Sequence, residues 1–526
     1  MKVATLKIIL ITAGAVLFNI IFWQEKLALN ALLFDAFVLW SVFYLYPAAF
    51  TKPEMKWLLL AHAVALITVI VHNTVLSKLA FSATLLLVVV FTQYLHRSVW
   101  YAAASAISNY VVFIFSFLEN IKLIKVRGVK SAGVRKALRF LIIPLLIAGV
   151  FFLLYSFSNA VFQDVVNDIG VALAKFFSWI FTWFSWDRFG FLLLGLFITG
   201  GLLLKMHSNY FSEKDFSHHN DLWRKKNNLL KYKESAMFDV LSLFMGRFAN
   251  GIMALRNENI VGIISLAMLN LLVLFINVID IKYVWFGFTY TPGLDLKSYV
   301  HDGTGMLIFS IVLAMAVLLF FFRGNLNFYK KNKWLRYGAY GWIFQNAILV
   351  VSVLLRDFYY IQYMGLAYKR IGVLFFLAMV LMGLVTVFMK IHQRKTSYYL
   401  WRVNGWFAIL LLVVSSCINW DETMASYNLA HRNVVPLDVK FLLSLSDKTL
   451  PLIEKNIEIL DDKNENQQGE GEYLNRSSLT PRQQFEQRKK EFLEEQKQYS
   501  WLSWNKTDAY VKEHLSPAVI TSSLNK

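Results

Sequence analysis

The sequence predicts an all-α integral membrane protein, a polytopic bundle of transmembrane helices followed by a C-terminal extramembrane helical tail. Of its 526 residues 57% are hydrophobic and only 17% are charged, and the mean hydropathy is +0.48. A soluble chain has about 25% charged residues, so the soluble class is excluded, and disorder is excluded for the bulk of the chain. The apolar residues also gather in runs near the 20 residues that a helix needs to cross a bilayer.

Twelve apolar segments precede the tail, and each is a candidate transmembrane helix. They cover 6–23, 28–47, 57–74, 79–95, 100–121, 137–158, 189–206, 259–280, 304–322, 337–355, 371–390 and 402–418.

Basic residues predict which side each connection faces, because cytoplasmic loops carry an excess of Lys and Arg. Four clusters mark cytoplasmic connections, and from segment six onward they agree and place the tail outside the cytoplasm. The clusters lie in 122–139, 224–233, 330–333 and 390–395.

The N-terminal third conflicts with this pattern. A cytoplasmic N-terminus is favoured by Lys2, Lys7, Lys52, Lys56 and Arg97. A fifth span would then put the basic run 122–139 outside. Segment 100–121 is the least lipid-like, so we interpret it as re-entrant, interfacial or packed within the bundle. This leaves eleven spans with a cytoplasmic N-terminus; the alternative is twelve spans with an external one.

The chain therefore divides into three parts. Residues 1–121 hold the N-terminal helices and 122–433 the core transmembrane domain, which includes an outer amphipathic stretch at 160–188 and a cytoplasmic loop at 207–258. The tail, 434–526, differs in composition from the rest of the chain, because its formal charge is −2 whereas that of the remainder is +21.

The residue pattern of the tail predicts a small helical appendage. Two short helices are expected over 436–445 and 448–460, then a polar linker over 461–478. Thr480, Pro481 and Gln483 form the signature of a capped helix start, with a hydroxyl N-cap, Pro at N1 and Gln at N3, and the helix runs to about 499. Since the tail is poor in apolar residues, it needs the membrane part or a partner to cover its apolar faces.

The basic excess of +19 is interpreted as a topological signal and as contact with anionic lipid, not as nucleic-acid binding. The chain has a single cysteine, Cys417, which excludes an intrachain disulfide and a multi-cysteine metal site. No catalytic, cofactor-binding or metal-binding motif is present, so no cofactor is expected.

Polar residues inside apolar segments are candidate functional positions, because such residues are costly in hydrocarbon and face the bundle or a cavity. They could line a polar path, or they could form interhelical hydrogen bonds. These residues are Asp35, His62, Asn270, Gln345 and Asn346.

A second group of candidates lies at the predicted outer rim. Acid–base chemistry or anion binding is one interpretation; the other is an interfacial aromatic belt, with Asp302 as the N-cap of the next span. The group consists of Tyr299, His301, Asp302, Arg356, Tyr363 and Arg370.

The order of several motifs resembles a known family. Residues 299–305 read YVHDGTG, 356–370 read RDFYYIQYMGLAYKR, 419–430 read NWDETMASYNLA, 437–445 read LDVKFLLSL and 501–505 read WLSWN. This pattern resembles the bacterial polytopic membrane family known as domain-of-unknown-function family 4173, although many members carry two arginines where this chain has His301 and Asp302. The resemblance implies a bacterial cytoplasmic (inner) membrane location and implies no reaction.

Three functions are open, and we rank a non-enzymatic envelope component first, as a subunit, sensor or assembly factor with membrane lipid and a protein docked through 434–526 as partners. A transporter or lipid-handling protein is the second. The third is a membrane enzyme that acts on a lipid-linked outer-leaflet substrate.

Overall fold

The computed structural model describes residues 3–123, 185–205, 208–223, 255–287, 296–322, 324–461 and 479–515, with isolated positions between 144 and 171. Two compact units are present: residues 1–23 with 109–206, and residues 24–108 with 207–526. Among the described residues all regular structure is helical, apart from a single antiparallel bridge between Asp221 and Lys395.

The described membrane helices are numbered here in chain order, and each predicted segment that falls on described residues is helical. They are α1 (Val3–Phe22), α2 (Leu29–Leu45), α3 (Pro53–Val71), α4 (Val75–Tyr94), α5 (Val99–Leu123), α6 (Trp186–Leu203), the short α7 (Tyr210–Ser217), α8 (Leu255–Asp280), α9 (Leu296–Phe321), α10 (Lys333–Met364), α11 (Tyr368–Gln393) and α12 (Ser397–Ser416).

Eight of these helices are long and apolar enough to cross a membrane by length and composition, which confirms the prediction of an all-helical membrane protein. The apolar stretches in α2, α5 and α9 are shorter, and most of segment 137–158 lies outside the described residues. A count of eleven or twelve spans is therefore not confirmed. Segment 100–121 forms one helix of about 37 Å at 1.5 Å per residue.

The smaller unit is built on close packing of α1 with α6. Asn19 on α1 donates to the backbone carbonyl of Arg188 on α6, and the Arg188 side chain donates back to Asn19, both at 3.2 Å. Gly200 and Gly201 on α6 lie directly against the rings of Phe113 and Tyr110, where a Cβ would clash. Small residues allow helix backbones to approach, which is how helices pack in lipid.

The larger unit has two ends, which we call the basic end and the tail end. The basic end carries the connections 46–52, 95–98, 322–332 and 394–396, and the tail end carries the connections 72–74, 365–367 and 417–419. α2 begins at the tail end, because the amide of Leu29 donates to the carbonyl of Trp504 in the tail.

α13 (Trp420–Ala430) leads from α12 to the tail. The tail is helical over α14 (Val439–Ser444), α15 (Leu450–Lys455), α16 (Pro481–Gln498) and α17 (Lys506–His514), with short 3-10 turns among them. The predicted capping box at Thr480 and Gln483 is confirmed. A core that includes Phe485, Phe492 and Val511 packs against Met424 of α13 and Ile371 of α11. The tail therefore covers its apolar faces on its own chain. The linker predicted at 461–478 lies almost wholly outside the described residues.

One local prediction is wrong. Asp302 is not the N-cap of its span, because α9 begins six residues earlier at Leu296 and Asp302 lies inside the helix. The sequence hid this start because the additional helical turns are polar. The stretch 160–188 and the loop 207–258 are described only in part, over the positions given above.

Candidate functional site

Asp35 and His62, predicted separately, meet in the interior of the larger unit. His62 on α3 contacts Asp35 Oδ1 on α2 through Nε2 and Thr84 Oγ1 on α4 through Nδ1, both at 2.8 Å. All three side chains are buried, and the His62 ring stacks on Phe81. We call Asp35, His62 and Thr84 the His62 site.

The hydrogen bonds of this site limit where its protons can lie. Thr84 Oγ1 also lies 2.7 Å from the carbonyl oxygen of Ala80, so a hydroxyl that donates there can only accept from His62 Nδ1. Asp35 and His62 then share one proton, either as carboxylate and imidazolium or as carboxylic acid and imidazole. Both forms are neutral overall, which is the condition under which such a pair is tolerated inside a membrane.

The predicted amide residues join α8 to α10. Gln345 donates to Asn270 Oδ1 at 2.8 Å, Asn270 donates to the carbonyl of Gly338 at 2.9 Å, and Asn277 donates to the carbonyl of Gln345 at 3.2 Å. Asn346 donates within its own helix. The contacts of Asn270, Asn277 and Gln345 are interhelical hydrogen bonds of the kind that helices use in lipid.

Arg356 is paired with a residue that the sequence did not single out. Its guanidinium forms two hydrogen bonds to Asp280 at the end of α8, at 2.6 and 3.2 Å, and both side chains are buried. Arg370 donates to the carbonyl of Met364 and lies over the ring of Tyr360. Tyr363 lies on α10, about one turn after Tyr360, and is half-buried. Arg356 is thus engaged in a structural pair.

The remaining predicted rim residues are Tyr299, His301 and Asp302. They lie in the first two turns of α9, and their side chains lie outside what the structure describes.

At the basic end Asp215 of α7 joins three segments. Its carboxylate accepts from the backbone amides of Arg97 and Ser98 at 2.7 and 3.1 Å, from His96 Nδ1 at 3.3 Å and from the Tyr398 hydroxyl. Burial alone would raise the pKa of Asp215, but these hydrogen bonds outweigh it and lower the pKa below its usual value. The carboxylate is therefore ionised.

An aromatic pocket of about 1150 Å³ opens beside Asp215. Tyr398 links the two, because its ring lines the pocket and its hydroxyl bonds to Asp215. His218 stacks on Tyr398 and on Tyr101, with centroids 5.4 and 5.9 Å apart. The aromatic pocket is lined by Ser98, Trp100, Tyr101, Ser217, His218, His219, Asp221, Leu222, Trp223, Thr396, Ser397, Tyr398 and Trp401.

At the tail end the connection before α2 is bonded to the tail. The Glu25 carboxylate accepts from the amide of Ser500 at 3.2 and 3.3 Å and from the hydroxyl of Ser503. The Lys26 ammonium pairs with the Glu495 carboxylate at 3.0 Å, and the backbone amide of Lys26 donates to the hydroxyl of Ser503. We call this set of contacts the tail junction.

The tail junction borders a recess of about 570 Å³. Trp501 and Trp504 lie at its edge and are 65% and 48% exposed. The recess is lined by Gln496, Tyr499, Ser500, Trp501, Ser503, Trp504, Asn505, Asp508, Ala509, Lys512 and Glu513. It includes the WLSWN motif at 501–505.

Sequence reasoning did not single out Asp280, Thr84, Asp215, His96 or Tyr398. Asp280 had a weak signal, since an acidic residue closes an apolar run. The others had none, because each becomes informative only beside a residue from another helix.

The family model for a domain of unknown function (DUF4153) matches residues 33–456, which covers most of the chain, including helices α3 to α12. The resemblance to family 4173 is not confirmed by this match. No curated protein and no solved structure matches the chain.

Proposed function

We propose that this chain, which belongs to the DUF4153 family, is a non-enzymatic component of a bacterial envelope whose tail docks a protein partner outside the cytoplasmic membrane. Membership itself supplies no activity, since the family's function is unknown. The proposal therefore depends on the chain's own residues.

The observation that carries the proposal is the tail junction. Through Glu25, Lys26 and their partners the tail is bonded to the membrane part, and Thr507 adds a hydrogen bond of 2.5 Å to the carbonyl of Val71. The tail recess beside the junction combines exposed indoles with charged and amide groups. Aromatic anchors surrounded by polar groups are typical of the centres of protein–protein interfaces.

The orientation belongs to the same proposal. Lys331, Lys333 and Lys395 are among the basic residues of the basic end, whereas Lys26 at the tail end is paired with Glu495. An excess of basic residues marks the cytoplasmic side, so we place the basic end in the cytoplasm and the tail outside. A cytoplasmic N-terminus belongs to the same proposal.

The test is native mass spectrometry of the full chain, purified in mild detergent from its own membrane. We expect a stoichiometric protein partner that is retained by Trp334→Ala and lost in Trp501→Ala/Trp504→Ala. Trp334 is the matched control, because it is 74% exposed at the opposite end. A chain that carries no protein partner, or that keeps its partner in the tail variant, contradicts the proposal.

A second candidate function is transport, which the His62 site favours. The site holds a titratable pair between three helices, and an ionisable residue within a membrane is by default a functional hypothesis. The test is proton flux into vesicles that contain the full chain and a pH-sensitive dye. Transport predicts flux with the native chain and with Ser41→Ala, a buried polar control on α2, and none with Asp35→Asn; equal flux in all three samples contradicts it.

The enzyme alternative receives no comparable support. That alternative uses Tyr299, His301, Asp302 and Arg356, and Arg356 is paired with Asp280.

A further inference from the structure

The aromatic pocket at the basic end belongs neither to the recess of the tail, where we propose that a partner docks, nor to the His62 site. Trp100, Trp223 and Trp401 line it and are 53%, 78% and 65% exposed. Trp100 and Trp401 lie at the starts of α5 and α12, where these helices meet the basic end. Exposed indoles at helix ends are typical of the lipid headgroup level, where one edge of the ring is apolar and the other is wet.

Both carboxylates near this pocket are already engaged. Asp221 lines it, but its carboxylate pairs with Lys395 at 2.6 Å. Asp215 lies behind Tyr398, fully buried and held by several donors. Neither carboxylate is available to compensate a further cation.

Two arginines beside the pocket are not compensated. The Arg97 guanidinium lies over the Tyr398 ring, 5.8 Å from its centroid, and among the described residues it donates to the backbone carbonyl of His218. Arg402 lies one helical turn after Tyr398 on the same face of α12. Within the described part of the chain neither guanidinium has a carboxylate within ion-pair distance. A guanidinium without a carboxylate partner is suited to phosphate.

The start of α12 adds to the positive potential. Thr396, Ser397 and Tyr398 line the pocket and form the N-cap and first turn of this 20-residue helix. A helix N-terminus carries a partial positive charge and free amide donors, which favour an anion. The hydroxyls of Ser98 and Ser397 can donate to the same group.

The remaining residues that line the pocket are mainly aromatic. The volume of the pocket exceeds the range of about 300–1,000 Å³ that is typical of small-molecule clefts. A soluble phosphate compound would leave the exposed indoles of Trp100 and Trp401 in water. A ligand with both a phosphate and hydrocarbon chains covers the rings and neutralises the arginines.

We propose that the aromatic pocket binds one anionic phospholipid of the leaflet at the basic end. Its phosphate is drawn by Arg97, Arg402 and the start of α12, and its acyl chains run against Trp100 and Trp401. This inference is independent of the docking function, which concerns the opposite end of the unit.

The first test is native mass spectrometry of the full chain with phosphatidylglycerol and with phosphatidylcholine. One basic residue near a lipid surface changes binding about fivefold. We expect Arg402→Gln to lower the preference for phosphatidylglycerol about fivefold and Arg97→Gln/Arg402→Gln about 25-fold. Arg402 donates to no described residue, so its substitution leaves the fold intact.

The control is Lys331→Gln/Lys333→Gln, which removes two exposed charges at the same end. The proposal expects this variant to keep the preference for phosphatidylglycerol. An equal loss in the control assigns the effect to general surface charge and overturns the proposal, as does an unchanged preference in the arginine variants.

A second comparison identifies the ligand as a lipid. Trp401→Ala is expected to weaken binding of phosphatidylglycerol, whereas Trp334→Ala, at the same end but outside the pocket, is not. Glycerol 1-phosphate, the soluble headgroup, is expected not to compete. Competition at equal concentration would make the site one for a free phosphate compound and would overturn the lipid assignment.

Discussion

The membrane helices of the larger unit and its tail are held together in different ways. In α8 and α10 the described contacts between helices include an amide pair, Asn270 with Gln345, and a buried ion pair, Asp280 with Arg356. These helices also share an apolar core that includes Leu266 and Leu335, and the tail has a separate one around Phe485.

The difference follows from the solvent. Helices in lipid gain little from covering apolar surface, since the lipid tails are equally apolar, so close packing and hydrogen bonds hold them together. A tail in water gains from each apolar side chain that it buries, about 25 cal/mol per Å². Substitution of a polar contact should therefore affect the membrane helices most, and substitution of an apolar one the tail.

The largest effect is expected for Phe485→Ala in the tail. Phe485 is fully buried, and removal of a buried phenyl ring costs about 3–5 kcal/mol. Hydrogen exchange of the full chain should become faster over α14, α15 and α16 and stay unchanged over α8 and α10. Tyr510→Ala, at a half-exposed aromatic of the tail, is the control and should have little effect. Equal loosening of α8 and α10 by Phe485→Ala would contradict the comparison.

A comparable loss is expected in the membrane helices for Arg356→Gln. The substitution leaves Asp280 buried without its partner, which costs about 3–5 kcal/mol. The measurement is the free energy of unfolding in a detergent titration. Asp280→Asn added to this variant should restore part of the loss.

Arg402→Gln is the matched control for that prediction, because Arg402 forms no ion pair within the described chain. Its effect on stability should stay within about 0.5 kcal/mol. A loss as large as that of Arg356→Gln would show that the Asp280 pair is not the cause.

A smaller effect is expected for the amide pair. Gln345→Leu removes its hydrogen bond to Asn270, and such bonds couple by about 0.6–1.7 kcal/mol in membranes. A double-mutant cycle of Gln345 with Asn270 should give this coupling energy. A cycle of Asn346 with Asn270 should give none, because Asn346 donates within its own helix. Equal coupling in the two cycles would contradict the assignment.

The last expected effect is a pH dependence in the tail, which changes stability only above pH 8. Burial, as the largest cause, lowers the pKa of Lys448 from 10.5 to about 8. Between these values the unfolded chain binds more protons than the folded chain, so stability should rise as the pH increases from 8 toward 10.5 and should be level below 8. Lys448→Met should reduce this rise in a thermal melt, whereas Lys440→Met, at an exposed lysine, should preserve it. An identical rise in both variants would exclude Lys448 as its source.

The prediction of the fold depended on local features. An apolar run, or the signature of Thr480, Pro481 and Gln483, acts within one helix, so each could be identified in the sequence. The start of α9 could not, because its first turns lack an apolar signal. Asp35 and His62 were identified as costly residues, yet their contact could not be predicted, since it depends on how α2 and α3 pack.

The sequence by itself determined the class of this protein and its helices, because hydropathy and capping act over a few residues. It also determined the excess of positive charge that the lipid-binding proposal uses. Only the tertiary structure decided that Arg356 pairs with Asp280, that His62 joins Asp35 to Thr84, and that three distant segments form the aromatic pocket. The physical reason is that these contacts join residues 22 or more positions apart, and their formation depends on the packing of whole helices.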